Sequence, residues 1–393
     1  MITINGTYND VLVYTDQLDN STTGQLKSLS ELASLKDSQI RIMPDVHSGT
    51  GCVIGTTLTL GESVIPSLVG VDIGCGVFVV KLEKKGLKKN FDKLERLIRN
   101  RIPSGKVSHQ QAVAEFDYGD LKSPVNYKQA RRNLGTLGGG NHFIEVAEGV
   151  DGVYLVIHSG SRSLGQEVAN YYQEMAYATC LQERREMKEL VKKDKQSGKI
   201  SENEPLKGAY EELTLPREHA YLTGQGMTDY LADLAIAQAY AAKNRQVMAE
   251  TILKGMKWDK KVLDSFDCPH NYIDLERKIL RKGATAAELG QPVIIPLNMR
   301  DGSILAVGKG NPSWNQSAPH GAGRLLSRSA ARKQLSLEKY EGTMKGIWTQ
   351  SVSKQTLDEA PGAYKKKKQI LGYIEETVDV KEIIKPLYNF KGK

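Results

Sequence analysis

The chain has 393 residues, with 54 Lys plus Arg against 46 Asp plus Glu, a formal net charge of +8. Hydrophobic residues at 40 % and charged residues at 25 % exclude a chain disordered over most of its length. The basic excess is moderate, so it suits a polyanionic partner without requiring one.

In chain order, Tyr8-Asn9-Asp10 is a turn signal before the apolar run 11–14, a predicted strand. Residues 39–54 read as a stretch broken at Pro44 and ending in glycines. Residues 67–82 are dense in Val, Ile and Gly and read as buried strand whose backbone comes close to something. Helical spacing over 91–98 puts Phe91, Leu94, Leu97 and Ile98 on one face. A glycine loop occupies 131–145 and leads into an apolar segment, and a strand over 153–158 stops at Ser159-Gly160-Ser161. Two long helices are expected over 166–195 and 227–258, joined by a polar linker near 196–207. Strand-like runs return at 292–296 and 303–307, and 361–393 closes with a basic run and a final strand or helix.

Strand-rich segments therefore flank a helix-rich middle at about 166–258. The expected fold is α+β, with central β-sheets flanked by helices, in one domain over 1–393. The first nine residues lack a basic stretch followed by an apolar run, so no secretory signal is expected. No apolar stretch is long enough to cross a bilayer. Four cysteines, Cys52, Cys75, Cys180 and Cys268, are too few for a disulfide framework and read as reduced thiols. A cytoplasmic, monomeric protein away from membranes is expected.

Seven histidines occur, and five of them, His47, His142, His158, His270 and His320, lie within two residues of a glycine or asparagine. In Gly70-Val71-Asp72-Ile73-Gly74-Cys75-Gly76 a carboxylate and a thiol sit three apart among glycines, a donor pair that suits Mn²⁺, Fe²⁺ or Zn²⁺. Taken alone, the stretch reads more simply as a tight turn with a buried cysteine. Gly138-Gly139-Gly140-Asn141-His142-Phe143-Ile144-Glu145 joins a backbone able to approach phosphate to an amide, an imidazole and a carboxylate. His158 stands at a strand end with Arg162 four residues on, and His270-Asn271 pairs imidazole with amide again. Small residues around His320 leave space for a substrate to reach its ring, as a phosphorus nucleophile needs, and Arg324 and Arg328 could hold phosphates; taken alone, the stretch reads more simply as a flexible surface loop with a solvated histidine. A phosphate-binding Gly-x-x-x-x-Gly-Lys-Ser/Thr loop, a Lys-x-Asp-Gly nucleophile motif and a Cys-x-x-Cys zinc site are all absent.

Together these segments resemble the RtcB family of RNA ligases. The shared pieces are Met43-Pro44-Asp45-Val46-His47-Ser48-Gly49, 70–76, 134–145, 158–162, His270-Asn271, 320–324, Ala363-Tyr364 and Lys391-Gly392. They run in family order over nearly the whole chain. The resemblance implies two Mn²⁺ ions, one held by Asp72, Cys75 and His142, the other by Cys75, His158 and His270, with the thiolate bridging. It implies that His320 takes GMP from GTP and that Asp45 is a further active-site acid. Its GTP-contacting positions match Asn141, His142, Phe143, Ile144 and Glu145, then His270 and Asn271. They continue through Pro296, Leu297, Asn298, Met299 and Ser303, the run His320, Gly321, Ala322 and Gly323, and finally Tyr364 and Lys391.

The implied activity joins an RNA 3′-phosphate or 2′,3′-cyclic phosphate to a 5′-hydroxyl, in RNA repair or tRNA splicing. Arg162, Arg324 and Arg328 are the candidates for RNA phosphate contacts, with Arg131, Arg132 and the lysine run 365–368 beside them. One departure stands out: the family usually reads Pro-Gly-Ser-Met-Gly where this chain has Pro296-Leu297-Asn298-Met299-Arg300. The same metal cluster would also serve a metal-dependent RNA-end phosphoesterase that does not ligate. The resemblance leaves open which RNA is joined and whether an activating protein takes part.

Overall fold

The computed structural model describes residues 1–197 and 215–392. Two sheets dominate. The larger has seven strands, all antiparallel, in the order Val262–Pro269, Gly76–Leu82, Val153–Ser159, Phe143–Glu148, Val378–Lys391, Gly302–Gly308, Pro292–Asn298. The smaller has six, in the order Ile2–Asn5, Asp10–Val13, Ile40–His47, Ile54–Thr59, Ile279–Lys282, Asn271–Asp274, with a single parallel pair between Asp10–Val13 and Ile40–His47. The class is α+β, as expected.

The strand Val153–Ser159 is buried along its whole length, which its near-continuous apolar sequence requires of a strand covered on both faces. One of its covers is the long helix Gly224–Met256. That helix buries Tyr230, Leu234, Ala237, Ala241, Met248 and Ile252, a stripe at spacings of three, four and seven. It ends where Lys257 turns left-handed and the backbone N–H groups of Lys257 and Trp258 close on the carbonyls of Lys254 and Leu253. The second long helix, Arg162–Gln196, starts four residues earlier than its apolar spacing suggests, directly after the turn that stops the strand. The linker expected at 196–207 lies, past Ser197, outside the described residues.

Two expectations are corrected, and one alternative is settled. Only Gly76–Leu82 of the apolar stretch 67–82 is strand, because Pro66–Leu68 forms a short 3₁₀ turn and Gly70 and Gly74 take positive φ. Pro44 does not break its strand, which runs through it as Ile40–His47. The register with Ile54–Thr59 shifts between Ile42 and His47 instead, so a proline without an N–H is accommodated at an irregularity. The end of the chain is strand, Val378–Lys391, preceded by the short helix Lys367–Tyr373 on the lysine run.

The two sheets meet where the chain leaves Val262–Pro269, passes His270 and enters Asn271–Asp274. That junction holds the candidate site.

Candidate active site

Strand register explains how distant motifs meet. In the larger sheet Pro269 lies opposite Gly76, Gly76 opposite Ser159, and His158 opposite both Val77 and Phe143. Four neighbouring strands thus bring Cys75, His142, His158 and His270 to one edge of the sheet, although they are far apart in sequence. Ligand atoms of Cys75, His142 and His158, all buried, lie within 4.8 Å of one another. The Cys75 sulfur is 3.2 Å from Nε2 of His158 and 3.5 Å from Nε2 of His142. Nε2 of His142 is also 3.2 Å from Oδ2 of Asp72, and Nε2 of His158 is 3.2 Å from Nε2 of His270.

The donor chemistry fits a cation. Nδ1 of His142 lies 2.8 Å from the Leu137 carbonyl, and Nδ1 of His158 lies 3.2 Å from the Asn141 carbonyl. A carbonyl only accepts, so each ring carries its proton on Nδ1 and turns a bare Nε2 lone pair inward. Burial, then the charge of neighbouring imidazoles, pushes His158 and His270 well below the usual histidine range, which favours neutral rings. Burial and the Asp72 carboxylate push the Cys75 thiol well up. Lone pairs gathered in this way repel unless a metal ion or protons sit among them. Thiolate, imidazole and carboxylate together suit a borderline first-row ion.

Beside the cluster stands His320, at the end of the short strand Ser317–Pro319, with its ring centroid 4.9 Å from that of His270. Its Nδ1 is 2.6 Å from Oδ2 of Asp45, a fully buried carboxylate. The loop carrying His320 closes on Asp45 through Gly323, where φ is +73° and an added Cβ would come within 2.4 Å of the Asp45 carbonyl oxygen.

A cavity of about 570 Å³ opens over both features, walled by residues of the two sheets. Among the positions expected to contact GTP, Asn141, Phe143, Glu145, His270, Asn271, Pro296, Leu297, Asn298, Met299 and Ser303 line it. So do His320, Gly321, Ala322, Gly323, Tyr364 and Lys391. His142 sits beneath, in the metal-capable cluster. Ile144 is turned away into the core, because alternation along Phe143–Glu148 sends it to the face opposite Phe143 and Glu145.

Glu145 faces the cavity with one oxygen bonded and one free. Oε2 accepts from Nδ2 of Asn389 at 2.8 Å, while buried Oε1 has no partner among the described residues. Burial pushes its carboxyl up to about 7 against the opposing pull of Asn389 and Lys391. Lys391 stands over the Phe143 ring at 5.1 Å and pairs with Oε2 of Glu359 at 2.9 Å.

The arginines behave differently from one another. Arg324 and Arg328 line the cavity, but both are held by acids. Arg328 bonds Asp358 at 2.7 Å and Glu359 at 2.8 Å, and Arg324 donates to the Asp358 carbonyl at 2.6 Å while lying over the Tyr364 ring. Arg162 is not brought to the cavity wall. Its guanidinium donates to the Gly105 carbonyl at 2.9 Å and to Thr136 Oγ1 at 3.3 Å. In the departure segment, Asn298 Oδ1 accepts from the backbone N–H groups of Arg300 and Asp301, and Arg300 pairs with Asp301. The added charge is therefore neutralised locally.

Sequence reasoning missed Glu359 and Asn389 and gave His47 no role. All three line the cavity. His47 belongs to the segment Met43–Gly49 that carries part of the family resemblance. Its Nδ1 lies 2.9 Å from the Asp45 carbonyl, and burial pushes it down to about 4.

The family model described as tRNA-splicing ligase RtcB matches residues 25–125 and 110–392. The chain belongs to the RtcB family. It is similar to the RNA-splicing ligase RtcB of Escherichia coli K12, at 30 % identity over 90 % of each chain. Similarity extends to the tRNA-splicing ligase RtcB of Aeropyrum pernix, at 28 % identity over 91 % of this chain and 88 % of that one. The RtcB protein of Nanoarchaeum equitans, also named a tRNA-splicing ligase, is 27 % identical over 88 % of this chain and 86 % of its own. Among the described residues no helix is long and apolar enough to cross a membrane.

Proposed function

We propose that this chain is an RNA ligase that joins an RNA 3′-phosphate or 2′,3′-cyclic phosphate to a 5′-hydroxyl, using GTP and two Mn²⁺ ions and passing through a guanylylated His320. The observation that carries this reading is the placement of the Asp45–His320 pair against the cysteine–histidine cluster in one cavity. The names of the relatives, RNA-splicing and tRNA-splicing ligases, support the substrate class.

Asp72, Cys75 and His142 would hold one ion, and Cys75, His158 and His270 the other. When bound, the ions supply positive charge that neutralises substrate phosphates and favours attack at phosphorus. Asp45 takes the hydrogen bond from Nδ1–H of His320, which fixes the ring and leaves the Nε2 lone pair to face the cavity. Nε2 attacks the α-phosphorus of GTP, a P–N bond forms and pyrophosphate leaves. An oxygen of the RNA 3′-phosphate then attacks that phosphorus, breaking the P–N bond and restoring His320. The 5′-hydroxyl oxygen attacks the activated 3′-phosphate, its proton is lost and GMP leaves. A cyclic phosphate end is hydrolysed to the 3′-phosphate first.

The orphaned Glu145 oxygen and the nearby Lys391 ammonium offer an acceptor and a donor side by side. The guanine edge, with N–H groups next to a carbonyl, is complementary to that arrangement. Phe143 and Tyr364 add aromatic walls. Arg324 and Arg328 at the cavity would meet RNA phosphates while sharing their charge with the acids below.

Incubation with GTP labelled at the α-phosphorus and Mn²⁺ should label the protein, and His320→Ala should abolish the label. A 3′-phosphate RNA and a 5′-hydroxyl RNA should be joined only when GTP is present. End hydrolysis without joining or labelling would replace this reading with a phosphoesterase.

A further inference from the structure

Behind the candidate site, two adjacent residues of the long helix Gly224–Met256 reach every loop that carries a metal-capable side chain. Neighbours on a helix point about 100° apart, so together they span more of the surrounding surface than either does alone. Asn244 is fully buried. Its Oδ1 accepts from the backbone N–H groups of Gly135 and Thr136, at 2.7 and 3.1 Å. Its Nδ2 donates to the Thr136 carbonyl, to Ser159 Oγ and to the Gly160 carbonyl. Ser159 Oγ in turn donates to the Leu137 carbonyl at 2.8 Å, the same oxygen that receives Nδ1–H of His142.

Arg245 completes the span. It is 1 % exposed. Nη1 donates to the carbonyls of Gly74 and Ser159, both at 2.7 Å, and the guanidinium grips Asp267 through Nε at 2.7 Å and Nη2 at 2.6 Å. Gly74 precedes Cys75, Ser159 follows His158, and Asp267 lies three residues before His270. The His270 N–H itself donates to the Cys75 carbonyl at 2.8 Å.

We propose that Asn244 and Arg245 form a positioning unit for the metal centre, holding the loops of Cys75, His142, His158 and His270 in ligating register from one rigid helix. This rests on the metal-centre reading above. Neither residue touches substrate or ion, so both act through the ligands they hold. A guanidinium is suited to the task because its fixed planar fork serves two carbonyls and a carboxylate at once, which a lysine cannot. Groups behind metal ligands commonly set affinity by about 10- to 100-fold.

The test uses the full chain with Co²⁺ as a spectroscopic probe and Mn²⁺ in calorimetry. The variants are Arg245→Lys, Arg245→Met and Asp267→Asn. The unaltered protein should bind Co²⁺ with a thiolate-to-metal absorption band. Arg245→Met should bind both ions about 10- to 100-fold more weakly with an altered band. Arg245→Lys should recover part of the affinity. Asp267→Asn removes a charge from a partly exposed side chain, should fold, and should weaken binding several-fold. Thermal unfolding without metal separates a purely structural effect: a lower unfolding temperature with wild-type affinity and band in the folded protein overturns the proposal. Failure of the unaltered protein to bind either ion overturns the metal-centre reading instead.

Discussion

Nδ1 of His320 and Oδ2 of Asp45 lie 2.6 Å apart, with the carboxylate fully buried and the imidazole at the cavity wall. The short contact joins strand Ile40–His47 of the smaller sheet to the loop after Ser317–Pro319. Its consequence is directional: the nitrogen nearer the acid is committed, and the other is presented to a substrate. Asp45→Asn keeps the shape but allows the amide to donate to Nδ1, which favours the wrong tautomer. Formation of the covalent GMP adduct should slow by about 100-fold or more, while metal affinity stays unchanged. Adduct formation at the wild-type rate, followed by quenched labelling, would remove Asp45 from the proposed chemistry.

Cys75 is the shared ligand in the proposed centre, so its loss should harm both ions. Cys75→Ala should eliminate the thiolate-to-cobalt absorption and lower Mn²⁺ affinity by at least 10-fold. Activity should fall with it and should not return at high Mn²⁺. The thiol is buried at 1 % exposure, and the substitution removes only one atom, so folding should survive. Full activity in this variant would refute the bridging role.

The histidines were legible because their surroundings are local. Turns at strand ends need glycine and asparagine, and four of the five histidines so marked gather at the cluster and His320, with His47 at the cavity wall. Glu359 and Asn389 gave no such signal. Asn389 matters only because Val378–Lys391 pairs with Phe143–Glu148 and sets it opposite Glu145, a partnership across 244 residues. Ile144 shows a signal left unused, since a period of two already separates it from Phe143 and Glu145. The arginines show where residue type alone misleads. A guanidinium suits phosphate, carboxylate and carbonyl alike, and Arg162 uses its fork on the protein's own Gly105 and Thr136.

Glu145 predicts a pH dependence. Burial raises its carboxyl to about 7, so near neutrality it passes between a neutral acid and a carboxylate. If it accepts from guanine N–H groups, the nucleotide prefers the ionised form. GTP affinity measured by calorimetry should therefore rise between about pH 6 and 8, and Glu145→Gln should bind weakly with a flat profile. For stability the sign is opposite: a raised folded value favours the protonated state, so this group's contribution is full below the ordinary carboxylate value of 4.5 and is lost as pH climbs through about 7. A wild-type affinity profile as flat as that of the variant would exclude Glu145 from base recognition.

Glu359 predicts the reverse trend in stability. Its carboxylate is 2 % exposed and receives Lys391 Nζ at 2.9 Å, Arg328 Nη1 at 2.8 Å and the Tyr364 hydroxyl at 2.8 Å. Burial alone would raise it, but Lys391 and Arg328 hold it down at about 2. A lowered folded value stabilises the fold above the ordinary 4.5, and that stabilisation is lost as pH falls towards about 2. Glu359→Gln leaves Lys391, itself 6 % exposed, with an uncompensated charge. Removing one partner of a buried pair costs about 3 kcal/mol, so denaturant unfolding at pH 7 should show a loss of that order. The gap between variant and wild type should narrow as pH drops below the ordinary 4.5, where the unfolded wild-type chain takes up a proton that the folded carboxylate does not accept until about 2. A gap that stays constant from pH 7 to pH 3 would mean that the ion pairs contribute nothing and that packing of the glutamate side chain accounts for the whole effect.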